Sequence, residues 1–146
     1  MRVMASIEAL QKQYKALDKK FASKLDGNID PSCLLAFDYQ YESSDAEVVI
    51  DTDEFSAVCP WTGLPDFGSL LVRYVPNKLC IELKSMKYYL LSYTGVGIVQ
   101  EHAANRVLED LVSLVNPRKM TVELGYNIRG GLRTNVIVSW EQAQDV

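Results

Sequence analysis

Glu82-Leu-Lys-Ser-Met-Lys-Tyr-Tyr-Leu-Leu-Ser-Tyr93 contains no helix breaker, whereas Thr94-Gly95-Val96-Gly97 directly behind it carries two glycines. The Leu, Lys and Met content of the first run predicts a helix over 82–93 in spite of its adjacent tyrosines, and the glycine segment predicts its end. A second helix is expected over 99–115, because Ala103, Val107, Leu108, Leu111, Leu114 and Val115 share one face and Asn116-Pro117 stops the pattern. On both sides of this helix pair the apolar period shortens to that of strands. Downstream, 120–126 and 132–140 alternate around Asn127-Ile-Arg-Gly-Gly131, whose two glycines can take φ > 0 and close a hairpin. Upstream, 69–75 reads as a strand, Pro76-Asn77-Lys78 as a turn and Leu79-Cys80-Ile81 as the returning strand, while 34–41 and 46–52 are further extended segments. The expected order is ββααββ, an α+β chain with its core over 46–140.

An amphipathic helix precedes that core. From Ser6, a candidate N-cap, Ile7, Leu10, Tyr14, Leu17, Phe21 and Leu25 recur every three or four residues until Gly27-Asn28 and the Asp30-Pro31-Ser32 loop. Residues 1–30 therefore read as a helical attachment that packs on the core or on a neighbouring subunit. The chain has 146 residues, 48% of them hydrophobic, which suits one core and predicts a single domain over 1–146. A net charge of −4 argues against a broad nucleic-acid surface, so no direct nucleic-acid binding is expected. Three cysteines without C-x-x-C spacing and a single histidine, His102, favour neither a disulfide framework nor a metal site, and a reducing cytoplasm fits them. No apolar run approaches the roughly 18 residues of a membrane span, so no membrane association is expected.

One stretch stands apart as chemical. Cys59-Pro-Trp-Thr-Gly-Leu-Pro-Asp-Phe67 sets a thiol and a carboxylate seven positions apart around a turn. Pro60 biases Cys59 to an extended conformation, and Thr62-Gly63-Leu64-Pro65 has the residues of a reversal, so Asp66 can return to Cys59. Cys59 is then either a buried small hydrophobe beside Val58 and Trp61, or a nucleophile with Asp66 as proton donor.

Four phrases in this order, Cys59-Pro-Trp-Thr-Gly-Leu-Pro-Asp-Phe67, Glu82-Leu-Lys-Ser-Met-Lys-Tyr-Tyr89, Gln100-Glu-His-Ala-Ala-Asn105 and Arg129-Gly-Gly131, resemble the NADPH-dependent 7-cyano-7-deazaguanine (preQ0) reductases of the single-module type. The resemblance implies the tunnelling fold, in which ββααββ units join their sheets into a barrel and bind purine-like rings at subunit interfaces. It implies a homo-oligomer built on pentamers, with a decamer as the larger form. It also implies NADPH as cofactor, preQ0 as small-molecule substrate, and reduction of the nitrile to preQ1 through a thioimide in queuosine biosynthesis for tRNA. Cys59 matches the nucleophile and Asp66 the proton-transfer acid. Ile81, Glu82, Leu83, Gln100 and Glu101 match substrate-contacting positions; a carboxylate such as Glu101 can accept paired hydrogen bonds from a ring N–H and an exocyclic amine. Glu82 also suits a helix cap, and Glu101 a solvated first-turn position. Lys84, Ser85 and Lys87, with Arg129 and Gly130, match the cofactor site, where cations and a hydroxyl suit phosphates.

Two positions depart from the family pattern. Gln100 stands where many members have His, and Thr94 where an Arg is common. His102 cannot replace a side chain at position 100, since successive helix residues point about 100° apart; it reads as a core or interface histidine, or as a catalytic one. Two rival readings remain on the same scaffold. An archaeosine-type amidinotransferase acting on preQ0 in tRNA would use the thioimide without NADPH, and a non-catalytic purine-binding protein would use neither Cys59 nor Asp66.

Overall fold

The computed structural model of the chain describes residues 6–17 and 22–144. In chain order the elements are α1 (Ile7–Leu17), β1 (Ala36–Asp38), β2 (Val48–Val58), β3 (Pro65–Val75), β4 (Leu79–Ile81), α2 (Leu83–Leu91), α3 (Gln100–Val115), β5 (Lys119–Tyr126) and β6 (Asn135–Glu141). Strands β2-β3-β5-β6 form one antiparallel sheet in that order, and β1 pairs with β4 in a separate two-stranded piece. The ββααββ order expected from the periodicity is present as β2, β3, α2, α3, β5 and β6.

Alternation decides which face of the sheet is dry. Leu70, Val72 and Tyr74 of β3 and Met120, Val122 and Leu124 of β5 are buried and meet the stripe Ala103, Ala104, Val107 and Leu111 of α3. The last turn of α3 closes on Asn116, whose φ of 41° is left-handed, with Pro117 blocking continuation. Gly130 and Gly131 take φ of 57° and 78° between the paired residues Arg129 and Leu132, the two-residue reversal that matches strand twist in a hairpin.

Three expectations need correction. Strands β2 and β3 run further than 46–52 and 69–75 and meet as a hairpin at Val58 and Pro65. The run Asp51-Thr-Asp-Glu54 is poor in strand formers and holds a register shift between Thr52 and Phe55, where Thr52 Oγ1 accepts from Glu54 N at 3.0 Å; tertiary pairing overrides its low propensity. Second, Leu79–Ile81 does not return along β3, because both edges of β3 are taken by β2 and β5; it pairs with β1 instead. Third, the N-terminal helix does not reach Leu25. Ser6 caps it as expected, accepting from Ala9 N at 3.2 Å, but Lys24 is already extended against Val96, and Leu25 and Ile7 are exposed. Phe21 lies outside the described residues.

Candidate active site

The loop between β2 and β3 is a tight reversal. Cys59 N donates to Leu64 O at 2.9 Å, Gly63 N donates to Cys59 O at 2.7 Å, and Gly63 sits at φ 73°, where a side chain would be strained. The flank before the thiol is strapped twice: Val58 N donates to Val96 O and Ile98 N to Val58 O, while Gly97 N donates to Lys24 O on the other side. The Cys59 thiol is half-buried. A hydrogen bond from the Thr62 hydroxyl is the main influence on its ionisation and holds it below the ordinary thiol value, helped by the N–H groups of Thr62 and Trp61; burial and the Asp66 charge oppose this. A thiol so poised is a better nucleophile at neutral pH than a free cysteine.

Asp66 lies one residue into β3, its side chain 12% exposed, and accepts from Arg129 Nη1 at 3.0 Å. Arg129 reaches it from the β5–β6 reversal, its Cζ 4.9 Å from the centre of the Tyr126 ring. Gln100 opens α3 and is buried. Its Nε2 donates to Leu124 O and Thr134 O, each at 2.8 Å, which leaves Oε1 as a buried acceptor with no partner among the described residues. Glu101 follows, exposed in the first turn of the helix, where a negative charge is favoured. Cys59, Asp66, Gln100, Glu101 and Arg129 line one cavity of ≈ 280 Å³. That is near the lower end of the roughly 300–1,000 Å³ of small-molecule sites, a size for a single ring system.

The other sequence-predicted residues gather elsewhere. Glu82 is the N-cap of α2: its carboxylate accepts from Lys84 N at 2.9 Å and Ser85 N at 2.7 Å, and these bonds hold its ionisation below the usual carboxylate value. Ser85 is buried, with its hydroxyl accepting from Leu35 N at 2.9 Å and donating to Glu82 O at 2.8 Å. A phosphate contact from that hydroxyl would have to displace both. Lys84 and Lys87 are exposed, and among the described residues neither is ion-paired. Ile81 is buried, with its N–H donating to Tyr74 Oη at 3.0 Å, while Leu83 and Lys87 line a separate apolar cavity of ≈ 240 Å³ over Ile50, Leu70 and Met86. Gly130 is exposed beside Arg129. His102 is exposed, not in the core, and lines a neighbouring cavity with Arg106 and Trp61.

The profile of one family, described as QueF-like protein, matches residues 65–145. This chain belongs to the QueF-like family. A relative in Caldicellulosiruptor bescii named NADPH-dependent 7-cyano-7-deazaguanine reductase is 50% identical over 114 residues, 78% of this chain and 87% of the relative. One of the same name in Thermoanaerobacter pseudethanolicus is 44% identical over 128 residues, 88% of this chain and 96% of that one. The crystal structure of the archaeosine synthase QueF-Like in the apo form superposes with a TM-score of 0.63 at 25% identity, covering 69% of this chain and 99% of that one. The α+β architecture is the tunnelling fold of the QueF-like family, as the motifs implied.

Sequence reasoning missed three residues that stand behind the site. Thr62 was read only as a turn residue, although it stands three positions after Cys59 and its hydroxyl faces the thiol. Tyr126 reads only as the last residue of the strand over 120–126, and Gly68 falls just outside the strand expected over 69–75. They oppose each other across β3 and β5, and a Cβ on Gly68 would come within 2.9 Å of Tyr126 Cδ1. Nothing in the local pattern marks such a pair, because it is made by register between distant strands.

Proposed function

We propose that this chain reduces the nitrile of 7-cyano-7-deazaguanine (preQ0) to the aminomethyl group of preQ1, with NADPH as reductant, through a thioimide on Cys59. The observation that carries the reading is the meeting of the Cys59 thiol, the Asp66 carboxyl and Glu101 at one ring-sized cavity. Glu101 accepts from the ring N–H and exocyclic amine of the base and sets the nitrile over the loop. The Cys59 thiol passes its proton to the Asp66 carboxylate and its sulfur forms a bond to the electrophilic nitrile carbon, while Asp66 hands that proton on to the nitrogen, leaving a C=N double bond and a C–S bond. Bound NADPH supplies hydride, twice per nitrile, and the first reduction releases Cys59 as thiolate. Asp66 is reprotonated from solvent and returns protons to nitrogen as the imine becomes the amine.

Lys84 and Lys87 fit a phosphate-bearing cofactor, being exposed and without ion-pair partners among the described residues, with Lys84 in the first turn of α2 at its positive end. Arg129 and Gly130 add a cation on an open reversal. Because the lysines and the Cys59 cavity stand apart in one chain, the reading includes a homo-oligomer in which a neighbour completes the site. The unpaired edges of β2 and β6 among the described residues support it, since joined edges turn tunnelling-fold sheets into a barrel. A pentamer-based ring in the cytoplasm, taking a small-molecule substrate without direct nucleic-acid contact, is the form proposed.

The solved archaeosine synthase keeps the amidinotransferase as a second reading. Incubation with preQ0 followed by NADPH separates the two. The full mass of preQ0 should add to the wild type and not to Cys59→Ala, and NADPH should then be oxidised at about two equivalents per nitrile. NADPH oxidation with an unmodified protein mass would remove the thioimide; an adduct inert to NADPH would favour the amidinotransferase.

A further inference from the structure

Tyr126 ends β5 at 3% exposure, and its hydroxyl is buried with no hydrogen-bond partner among the described residues. Packing does not account for that hydroxyl. The ring lies over the bare backbone of Gly68, stacks on Phe55 at 6.3 Å between centroids, and carries the Arg129 guanidinium at 4.9 Å. Phenylalanine would make all of these contacts without taking a hydroxyl out of water, and an unpartnered buried donor costs free energy. The charged and titratable groups within electrostatic reach are Asp66 from β3, Glu101 from α3, Arg129 from the reversal after β5, and Tyr93 from the turn after α2. Asp66 has an unfilled acceptor: its Oδ1 is engaged by Arg129, and no bond to Oδ2 is formed among the described residues.

We propose that Tyr126 is a positioning residue for the reduction: when Arg129 leaves Asp66 for a cofactor phosphate, the Tyr126 hydroxyl donates to the Asp66 carboxylate and holds it in place. The inference rests on the roles given above to Asp66 and Arg129. A carboxylate in a side chain only 12% exposed is costly to leave unpaired, so an exchange of donors lets Arg129 move without stranding it. Burial, and then the charge of Asp66, push the phenol's ionisation above its ordinary value, so it stays a donor through the neutral range. Gly68 keeps this part of the sheet clear, since a Cβ there would run into Gly125 O and come within 2.9 Å of Tyr126 Cδ1.

Tyr126→Phe tests this at matched oligomeric state, with three readouts: melting temperature without ligands, adduct mass after preQ0 alone, and steady-state NADPH oxidation. The expected result is an unchanged or higher melting temperature, normal adduct formation, and a fall of about tenfold to hundredfold in kcat/KM for NADPH, the scale of one hydrogen bond to a charged group. In an Arg129→Ala background, where Tyr126 is the remaining donor to Asp66, adduct formation should itself become sensitive to Tyr126→Phe. A lower melting temperature would mean that the hydroxyl is already paired in the empty protein, and would overturn the proposal. Unchanged NADPH kinetics, or equal loss of adduct formation and NADPH use, would also overturn it. Failure of the underlying reading appears in the wild type instead, as a missing adduct or absent NADPH oxidation, and takes the proposal with it.

Discussion

The Cys59 cavity and the Glu82–Lys87 segment are both dense in polar groups, but they treat those groups in opposite ways. Around Cys59, four separated pieces of chain converge, and polar atoms are left open: Gln100 Oε1 at the cavity, and the Tyr126 hydroxyl behind Arg129, have no partner among the described residues. Around Glu82, the polar groups satisfy each other within a few residues, with the carboxylate capping α2 and the Ser85 hydroxyl tying α2 to Leu35. An unsatisfied buried polar atom costs stability, so Gln100 Oε1 at the wall of the Cys59 cavity marks a place open to a ligand. The second region is built first for helix and sheet, and of its polar side chains the two lysines are left unpaired among the described residues and facing outward.

Asp66→Asn would break the first region hardest short of losing the thiol. It keeps the shape and removes the acid, and turnover should fall by roughly a hundredfold or more, the scale of lost general acid catalysis. Near-normal turnover in a steady-state assay would take Asp66 out of the chemistry and leave it as the ion-pair partner of Arg129.

The comparison is sharpened within the second region by setting Lys84→Ala against Ser85→Ala. The lysine variant should keep its stability and its preQ0 adduct while needing about tenfold to hundredfold more NADPH, as expected for one charge-assisted contact. The serine variant should do the reverse. It strands the Leu35 N–H and should lose about 1–3 kcal/mol in urea unfolding with little change in KM for NADPH. A large rise in that KM for Ser85→Ala would show that the hydroxyl leaves Leu35 to meet the cofactor.

Much of the fold was legible because its signals are local. The stripe from Ala103 to Val115, the Asn116-Pro117 stop and the Gly130-Gly131 reversal each depend on residues a few positions apart, and each is present. The errors fell where a distant partner decides. Asp51–Glu54 is strand because β3 pairs with it through a bulge, and β4 turned to β1 because β3 had no free edge. The site divides along the same line. Cys59 and Asp66 share one short reversal and could be paired on sight, whereas Thr62 was read for its turn alone and Tyr126 had no local mark.

Sequence by itself determined the order of elements, the thiol and carboxylate of the Cys59 loop, and the family, since these depend on residue type and short spacing. Tertiary structure alone decided that Arg129 turns onto Asp66, that the Glu82–Lys87 segment stands apart from the Cys59 cavity, and that Gly68 clears the space for Tyr126. The reason is strand register. Pairing β3 with β5 sets Gly68 opposite Tyr126, and a shift of one residue would turn every side chain of the strand to the other face, so these contacts exist only once the sheet has formed.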